Sequence, residues 1–324
     1  METSKWNTTV ACRINDDELL ARLSSGGKVE SVDEMSPGYL AAIVPLMQIA
    51  ADLELTTMGI MYPAFATAPD LEAKMAIASS IQDEMGHGMM MYRMLEDFGY
   101  DTEELLLKRE PSAFKSFYVT QFPARDYIEF VVTQFIGDRA GLETTLDLEE
   151  NCSYAPYNRS LRKVNFEEKY HVGHGEREVR RLWETGDPEI RSRIQGTVDW
   201  LFPLYLEWFG VSDQRKTGTG QLAYKIRGRS NDEMRQRWLS QVGEACGKLG
   251  IRIPARFNDE EGTWNLEFEM PVLFDSERLT WDLDRTVTWD EKMVQWKTGG
   301  PLKVKQFEML QEERWGDGLW QKDK

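Results

Sequence analysis

Apolar side chains recur every three or four residues through most of this chain, which is the spacing of helices that bury one face. The pattern predicts a first long helix from about Ser36 to Tyr62, and Pro63 ends it. Three more long helices are predicted over 69–99, from 123 to about 151, and after a turn at 153–160 as far as Gly186. Because each helix has an apolar stripe to bury, the four are expected to form a bundle.

The pattern changes towards the C terminus. A fifth helix is expected from Pro188 with Asp187 as its N-cap, and a sixth over about 231–249, where Ser230 and Glu233 have capping-box spacing. After residue 250, apolar and polar residues alternate, which predicts short strands. The predicted organisation is a polar, loosely ordered lead-in over 1–35, an all-α helical domain over 36–250, and a less regular C-terminal extension with short strands over 251–324.

Composition narrows the class of protein. The 324 residues include 39 Lys and Arg against 55 Asp and Glu, and the resulting formal net charge of −16 argues against a nucleic-acid partner. Three cysteines are too few for a disulfide framework. The longest mostly apolar run, residues 40–51, is too short to span a bilayer. We therefore expect a soluble, cytoplasmic protein that does not bind a membrane.

Histidine is scarce, and two of the three histidines lie in the same short motif. His87 follows Glu84 by three residues and His171 follows Glu168 by three, so each pair shares one face of its predicted helix. Another acid stands thirty residues before each motif, in a mainly apolar stretch where an unpaired carboxylate is costly to bury. The six candidate residues are Glu54, Glu84, His87, Asp138, Glu168 and His171.

Four carboxylates and two imidazoles from a four-helix bundle are the ligand set of a di-iron or di-manganese carboxylate centre. The alternative is two surface Glu–His pairs with two core acids that are satisfied elsewhere. Metal-bound imidazoles commonly donate their free N–H to a carboxylate, so we expect Asp83 to hold His171 across the bundle. Glu167 is expected to hold His87 in the same way. His174, one turn beyond the second motif, is interpreted as a rim or outer histidine rather than a third ligand.

Several longer stretches of the chain match one known family. They are QDEMGHG with MMYRMLEDFG, FPARDYIEFVVTQFIGD, SYAPYNRS with FEEKYH, and LAYKIRGRSNDEMRQRW. Through them the sequence resembles the catalytic A subunit of ring-1,2-phenylacetyl-coenzyme A epoxidases, which are ferritin-like multicomponent oxygenases. The resemblance implies metal ligands at the six positions given above. The stretch after Asp138 is one residue longer than the family pattern, so the third carboxylate is either Asp138 or Glu143.

The resemblance also implies a function for this chain. A ferritin-like catalytic subunit with two iron ions, or manganese as the alternative, would transfer one atom of O₂ to an aromatic acyl-coenzyme A as an epoxide. The other oxygen atom would leave as water. Because the sequence has no dinucleotide fingerprint or cysteine group, a separate flavin and iron–sulfur reductase would supply the electrons. An oligomer and a structural partner subunit are implied as well.

The candidate substrate-binding residues are one methionine and three basic residues. Met91 lies one turn from His87 and is a candidate wall of the site. Five basic residues fall within 225–237, and among them Lys225, Arg227 and Arg229 either contact coenzyme A phosphates or form a salt-bridged face for another subunit. Two other functions stay open. One is an iron-oxidising or peroxide-handling ferritin-like protein without an organic substrate, and the other is a metal-free structural subunit.

Overall fold

The computed structural model describes residues 14–215, 218 and 220–312, and within these the chain is mainly helical. The helices are α1 (Asp16–Ser24), α2 (Pro37–Met61), α3 (Leu71–Asp97), α4 (Tyr127–Val132), α5 (Asp138–Asn151), α6 (Ala155–Thr185), α7 (Pro188–Trp208), α8 (Asn231–Leu249), α9 (Trp289–Thr298) and α10 (Lys305–Glu312). The strands are β1 (Ala255–Asn258), β2 (Thr263–Leu266), β3 (Val272–Asp275) and β4 (Thr280–Thr286). The all-α prediction is confirmed.

The four-helix bundle consists of two helical hairpins. Helix α2 packs along α3, and α5 packs along α6. Ser36 and Asp70 cap α2 and α3 through their side chains. The segment Pro37–Thr67 is long and apolar enough to cross a membrane by length and composition alone. In this fold α2 buries the carboxylate of Asp52 against its neighbours, as a core helix of a bundle does.

The third helix of the bundle contains a π-helical turn. The predicted helix over 123–151 begins at Tyr127, with Asp126 as its N-cap, and a π turn over Thr133–Gly137 joins α4 to α5. One inserted residue rotates all later side chains by about 100° around the axis. Gly137 at the end of this turn lies against Tyr205, where a Cβ atom would come within 2.2 Å of the ring. The turn thus brings α7 close to the start of α5.

The described part of the lead-in is ordered, so the expectation of loose order is wrong for residues 14–35. Helix α1 buries Leu19 and Leu23 completely, and Val29 forms a parallel bridge with Tyr154. The segment is polar on average, but its few apolar side chains share one helical face and pack on the bundle. Residues 1–13 of the predicted lead-in lie outside the described residues.

The later elements follow the sequence pattern closely. Asp187 caps α7, and Ser230 with Glu233 forms the predicted capping box of α8. Helix α6 begins at Ala155, inside the predicted turn. In the C-terminal extension, β1 pairs with β2 and β3 with β4, both antiparallel. The ammonium group of Lys292, fully buried, lies 2.6 Å from the Glu207 carboxylate and joins the extension to α7.

Candidate metal centre

The six predicted ligands converge between the four helices of the bundle. Helix α2 supplies one carboxylate, α3 and α6 each supply a Glu and a His, and α5 supplies Asp138 at its first position. Both imidazoles are almost completely buried, with His171 at 0% and His87 at 2% exposure. Because each Glu–His pair is spaced i, i+3 on its helix, both side chains of a pair point to the same side.

Carboxylate oxygens surround each imidazole on its Nδ1 side. His87 Nδ1 lies 3.8 Å from Glu54 Oε2, 3.8 Å from Glu84 Oε2 and 3.6 Å from Glu168 Oε1. His171 Nδ1 lies 3.3 Å from Glu84 Oε1 and 3.9 Å from Glu168 Oε2. These distances are long for hydrogen bonds and are compatible with donor atoms arranged around shared ions.

Two groups of potential ligands share one residue. Glu54, Glu84 and His87 have ligand atoms within 4.8 Å of one another, and so do Glu84, Glu168 and His171. Within the part of the chain that the structure describes, the buried atoms His87 Nδ1 and His171 Nδ1 have no hydrogen-bond partner. Leaving buried polar atoms unpaired is costly, so the residues fit a pair of divalent ions, and Glu84 belongs to both groups.

The two candidates for the remaining carboxylate are in different environments. Asp138 lines the same cavity as the other three carboxylates, and its buried Oδ2 accepts no hydrogen bond from the described residues. The side chain of Glu143 instead forms an ion pair with Arg237 and accepts a hydrogen bond from Gln241 at 2.8 Å. Glu143 is therefore occupied elsewhere, and the arrangement favours Asp138.

Burial and mutual repulsion favour protonation of most of these acids in the metal-free site. Burial and the neighbouring Glu84 raise the pKa of Glu54 to about 8. Burial raises the pKa of Asp138 to about 7 despite the attraction of His171, and it raises the pKa of Glu168 well above its usual range. Burial also acts to raise the pKa of Glu84, but the two adjacent imidazoles outweigh it and hold this pKa well below the ordinary value.

The imidazoles also hold protons more tightly than usual. Burial lowers their pKa values, but the adjacent carboxylates outweigh it and raise the pKa of His87 to about 12 and of His171 to about 10. Metal ligands must be deprotonated, so metal binding has to displace these protons. Metal binding at this site is therefore coupled to proton release.

Both outer carboxylates lie where the sequence pattern places them. His87 Nε2 lies 3.0 Å from Glu167 Oε2, and His171 Nε2 lies 3.3 Å from Asp83 Oδ2. Lys163 forms an ion pair with Glu167 on the solvent side. Because each Nε2 atom is engaged outside the cluster, each Nδ1 atom is the one that faces the carboxylates inside.

The other two residues predicted near the centre lie away from it. His174 Nδ1 lies 2.6 Å from Gln134 Oε1, and Gln134 donates in turn to Ser80. His174 is thus an outer histidine rather than a ligand. Met91 is fully buried in the core formed with α1 and α2 and does not line the cavity, so its assignment as a wall of the site is wrong. One helical turn beyond His87, α3 already faces that core rather than the site.

A mostly apolar cavity of about 350 Å³ adjoins the carboxylates, four of which line it. Phe117 and Trp208 form part of its wall, with ring centroids 4.4 Å apart, and the Trp208 indole N–H donates to Thr144 Oγ1 at 3.1 Å. Tyr157 and Tyr205 lie in the same wall. Sequence reasoning missed these four aromatic residues, because they come from three distant segments, one of which is α7 with Tyr205 and Trp208, and only the tertiary fold brings these segments together.

The basic residues of 225–237 lie in different environments. Arg227 is the one cationic side chain among the described residues that line the cavity, and it donates to Asn231 Oδ1 at 3.1 Å. Lys225 is exposed. Arg229 forms ion pairs with Asp147 and Glu150, which leaves its guanidinium engaged within the protein. Of the three predicted substrate contacts, the structure brings Arg227 to the cavity.

Fold and donor set together define a ferritin-like protein with a site that fits two metal ions. The chain belongs to the phenylacetic acid catabolic protein family, whose family model matches residues 8–296. One relative is the A subunit of the 1,2-phenylacetyl-CoA epoxidase of Escherichia coli (strain K12). It is 25% identical over 245 residues, which cover 74% of this chain and 79% of the relative. The family resemblance found in the sequence is thus confirmed.

Proposed function

We propose that this protein is the catalytic subunit of a di-iron monooxygenase that transfers one atom of O₂ to the ring of an aromatic acyl-coenzyme A. One observation carries the proposal, namely that four carboxylates line an apolar cavity and lie against two buried imidazoles. Similarity to an epoxidase A subunit supports it. Two bound iron ions would supply the reduction of O₂, and manganese is the alternative to be tested.

The residues of the chain would hold and neutralise the ions. Four carboxylates carry the same total charge, with opposite sign, as two divalent cations, so the loaded site would be close to neutral. Glu84 belongs to both ligand groups, so it would help to hold both ions, together with Glu54 and His87 in one group and Glu168 and His171 in the other. Asp138 would complete the set, and the cross-bundle contacts to Asp83 and Glu167 would fix the orientation of the imidazoles.

The cavity would select and orient the organic substrate. A volume of about 350 Å³ is at the lower end of the range for small-molecule sites, so it suits an aryl acyl group and not a whole coenzyme A thioester. Aromatic walls such as Phe117 and Trp208 would position the ring beside the carboxylates and exclude water. Arg227 would contact the polar part of the thioester that extends from the cavity.

The reaction needs an outside source of electrons. Forming an epoxide and one water from O₂ consumes two electrons and two protons. Among the described residues the cysteines are Cys152 and Cys246, both buried and far apart in sequence, so they do not form an iron–sulfur ligand group. We therefore propose a separate flavin and iron–sulfur reductase, a structural partner subunit, and a cytoplasmic location, which fits free thiols.

The test is anaerobic reconstitution with Fe(II), followed by exposure to isotopically labelled O₂ and a panel of aryl-coenzyme A thioesters. The expected result is one labelled oxygen atom in the thioester product, and its loss in a Glu84→Ala variant that keeps its helical circular dichroism. A Glu176→Ala variant is the control, because Glu176 lies on α6 with its side chain 38% exposed, in ion pairs with Arg139 and Arg180. Iron oxidation without any thioester product would instead support the iron-handling alternative.

A further inference from the structure

The outer face of α6 has a charge opposite to that of the whole chain. Between residues 159 and 181 its exposed residues are basic or aromatic, and the four acidic residues in this stretch are half-buried or buried. Three of these acids form ion pairs with basic residues of the same helix, which are Lys163, Arg180 and Arg181. These exposed residues, here called the α6 outer face, are Arg159, Arg162, Lys163, Phe166, Lys169, Tyr170, Arg177, Arg180 and Arg181. In a chain with a net charge of −16, such a face indicates a partner with negative charge.

The α6 outer face lies directly outside the imidazole side of the candidate centre. Phe166, which is 77% exposed, directly precedes Glu167 in the chain, and the exposed Tyr170 lies one helical turn after Glu167. The side chain of Glu167 is 19% exposed on one side and contacts the buried imidazole of His87 on the other. The Tyr170 ring centroid is 6.2 Å from that of His171. The contact between the His87 imidazole and the Glu167 carboxylate thus connects the buried site to the solvent side of α6 over a short distance.

The α6 outer face does not line the cavity. From α6, the residues that line it are Tyr157 and Glu168, and no member of the α6 outer face is among them. The neighbouring helix α3 adds apolar surface, since Met85 and Met89 are exposed and no exposed charged residue lies between Glu72 and Arg93. The α6 outer face is therefore separate from the surface that lines the cavity.

We propose that the α6 outer face docks an acidic electron-transfer protein, which is oxidised there as it reduces the metal centre. The inference rests on the proposed function, in which each turnover needs two electrons. Exposed Phe and Tyr side chains surrounded by Arg and Lys have the composition of a protein-binding surface. Opposite charges would speed and orient the encounter. A second copy is disfavoured, because a two-fold contact would place this basic face against itself.

Three residues of the face allow a clean test. Arg162, Lys169 and Arg177 are exposed and form no ion pair within the described residues, so reversing their charge breaks no internal contact. The test variant is R162E/K169E/R177E. The matched control is R252E/R285E/K297E, which changes the net charge equally at exposed positions of the C-terminal extension that likewise form no ion pair within the described residues. Circular dichroism and thermal melting check that both variants fold.

The probe is a plant-type [2Fe–2S] ferredoxin, a small acidic one-electron donor, titrated by calorimetry into metal-free protein at low ionic strength. We expect the wild type to bind with an affinity that falls as salt rises, the test variant to bind roughly tenfold or more weakly, and the control to change less than about threefold. Equal binding by wild type and test variant would overturn the proposal. So would an equal loss in the control, or no binding of the probe by the wild type.

A second measurement separates this proposal from the proposed function. Iron-loaded wild type and test variant are each supplied with electrons from dithionite and a small mediator instead of the ferredoxin. Equal thioester oxidation by both proteins would show that the reversed charges affect docking and not the centre. Absence of thioester oxidation in the wild type under these conditions would refute the proposed function, while the calorimetry would still decide the docking.

Discussion

Removing the outer carboxylate that holds an imidazole should weaken metal binding without removing a ligand. Glu167 Oε2 lies 3.0 Å from His87 Nε2, and Asp83 Oδ2 lies 3.3 Å from His171 Nε2. Both carboxylates are largely buried, at 19% and 13% side-chain exposure, so solvent screens them only in part. Each carboxylate keeps its imidazole in the orientation that presents Nδ1 to the other ligands.

Loss of such a partner typically costs 10–100-fold in metal affinity, or about 1.4–2.7 kcal/mol. Glu167→Ala should fall in the upper half of this range, because its contact with the imidazole is the shorter one. Asp83→Ala should fall in the lower half. Glu167→Gln should be intermediate, since the amide oxygen still accepts the N–H hydrogen bond but carries no charge.

The assay is a competition titration of metal-free protein with Mn(II) or Co(II) against a fluorescent chelator, which needs no turnover. Glu176→Ala is the control, because it removes one acid from the same helix at 38% exposure without touching an imidazole. An unchanged affinity in Glu167→Ala, or an equal loss in the control, would refute the role given to the outer carboxylates.

Three further predictions concern other parts of the protein. Asp138→Asn should remove at least one bound metal ion, whereas Glu143→Gln should keep both and lose stability through its buried contact with Arg237, as metal analysis and thermal melting would reveal. Lys292→Met should cost about 3–5 kcal/mol in unfolding free energy, because the buried Glu207 carboxylate would lose its ion-pair partner and keep one hydrogen bond, from Trp296. A Glu207→Gln/Lys292→Met double variant should recover most of that loss. Metal-free protein should lose stability as pH rises from about 5 to 9: the folded-state pKa of Glu54 is raised to about 8 and that of Asp138 to about 7, so the folded state binds more protons than the unfolded state in this window. Melting temperatures that are flat or rise over this pH range would contradict the last prediction.

Local helical spacing explains why the Glu–His pairs, their outer carboxylates and the helix caps could be predicted from the sequence. Each Glu–His pair is fixed by one helical turn, and an acid immediately before each motif faces the neighbouring helix of an antiparallel bundle. That is why the contacts of Asp83 with His171 and of Glu167 with His87 could be predicted as pairs. The capping box of α8 and the start of α7 were likewise encoded within four residues.

Features that depend on tertiary packing were beyond the same reasoning. Met91 has the right helical spacing for a site residue, but the packing of α1 and α2 against α3 places it in the core. Arg229 is one of several similar basic residues, and only the approach of α5 shows that Asp147 engages it. Helix α1 was not predicted, because its segment is polar on average. Its few apolar residues nevertheless lie on one face of the helix and bury that face.

The central claim is that the six residues hold two metal ions that act on an organic substrate. The most direct measurement is an anaerobic Fe(II) titration of the metal-free protein, followed by Mössbauer spectroscopy after exposure to O₂ with an aryl-coenzyme A thioester. We predict two bound iron ions per chain in a coupled centre, loss of both in Glu84→Ala, and an oxygenated thioester. One iron per chain or none, or unchanged binding in Glu84→Ala, would contradict the claim.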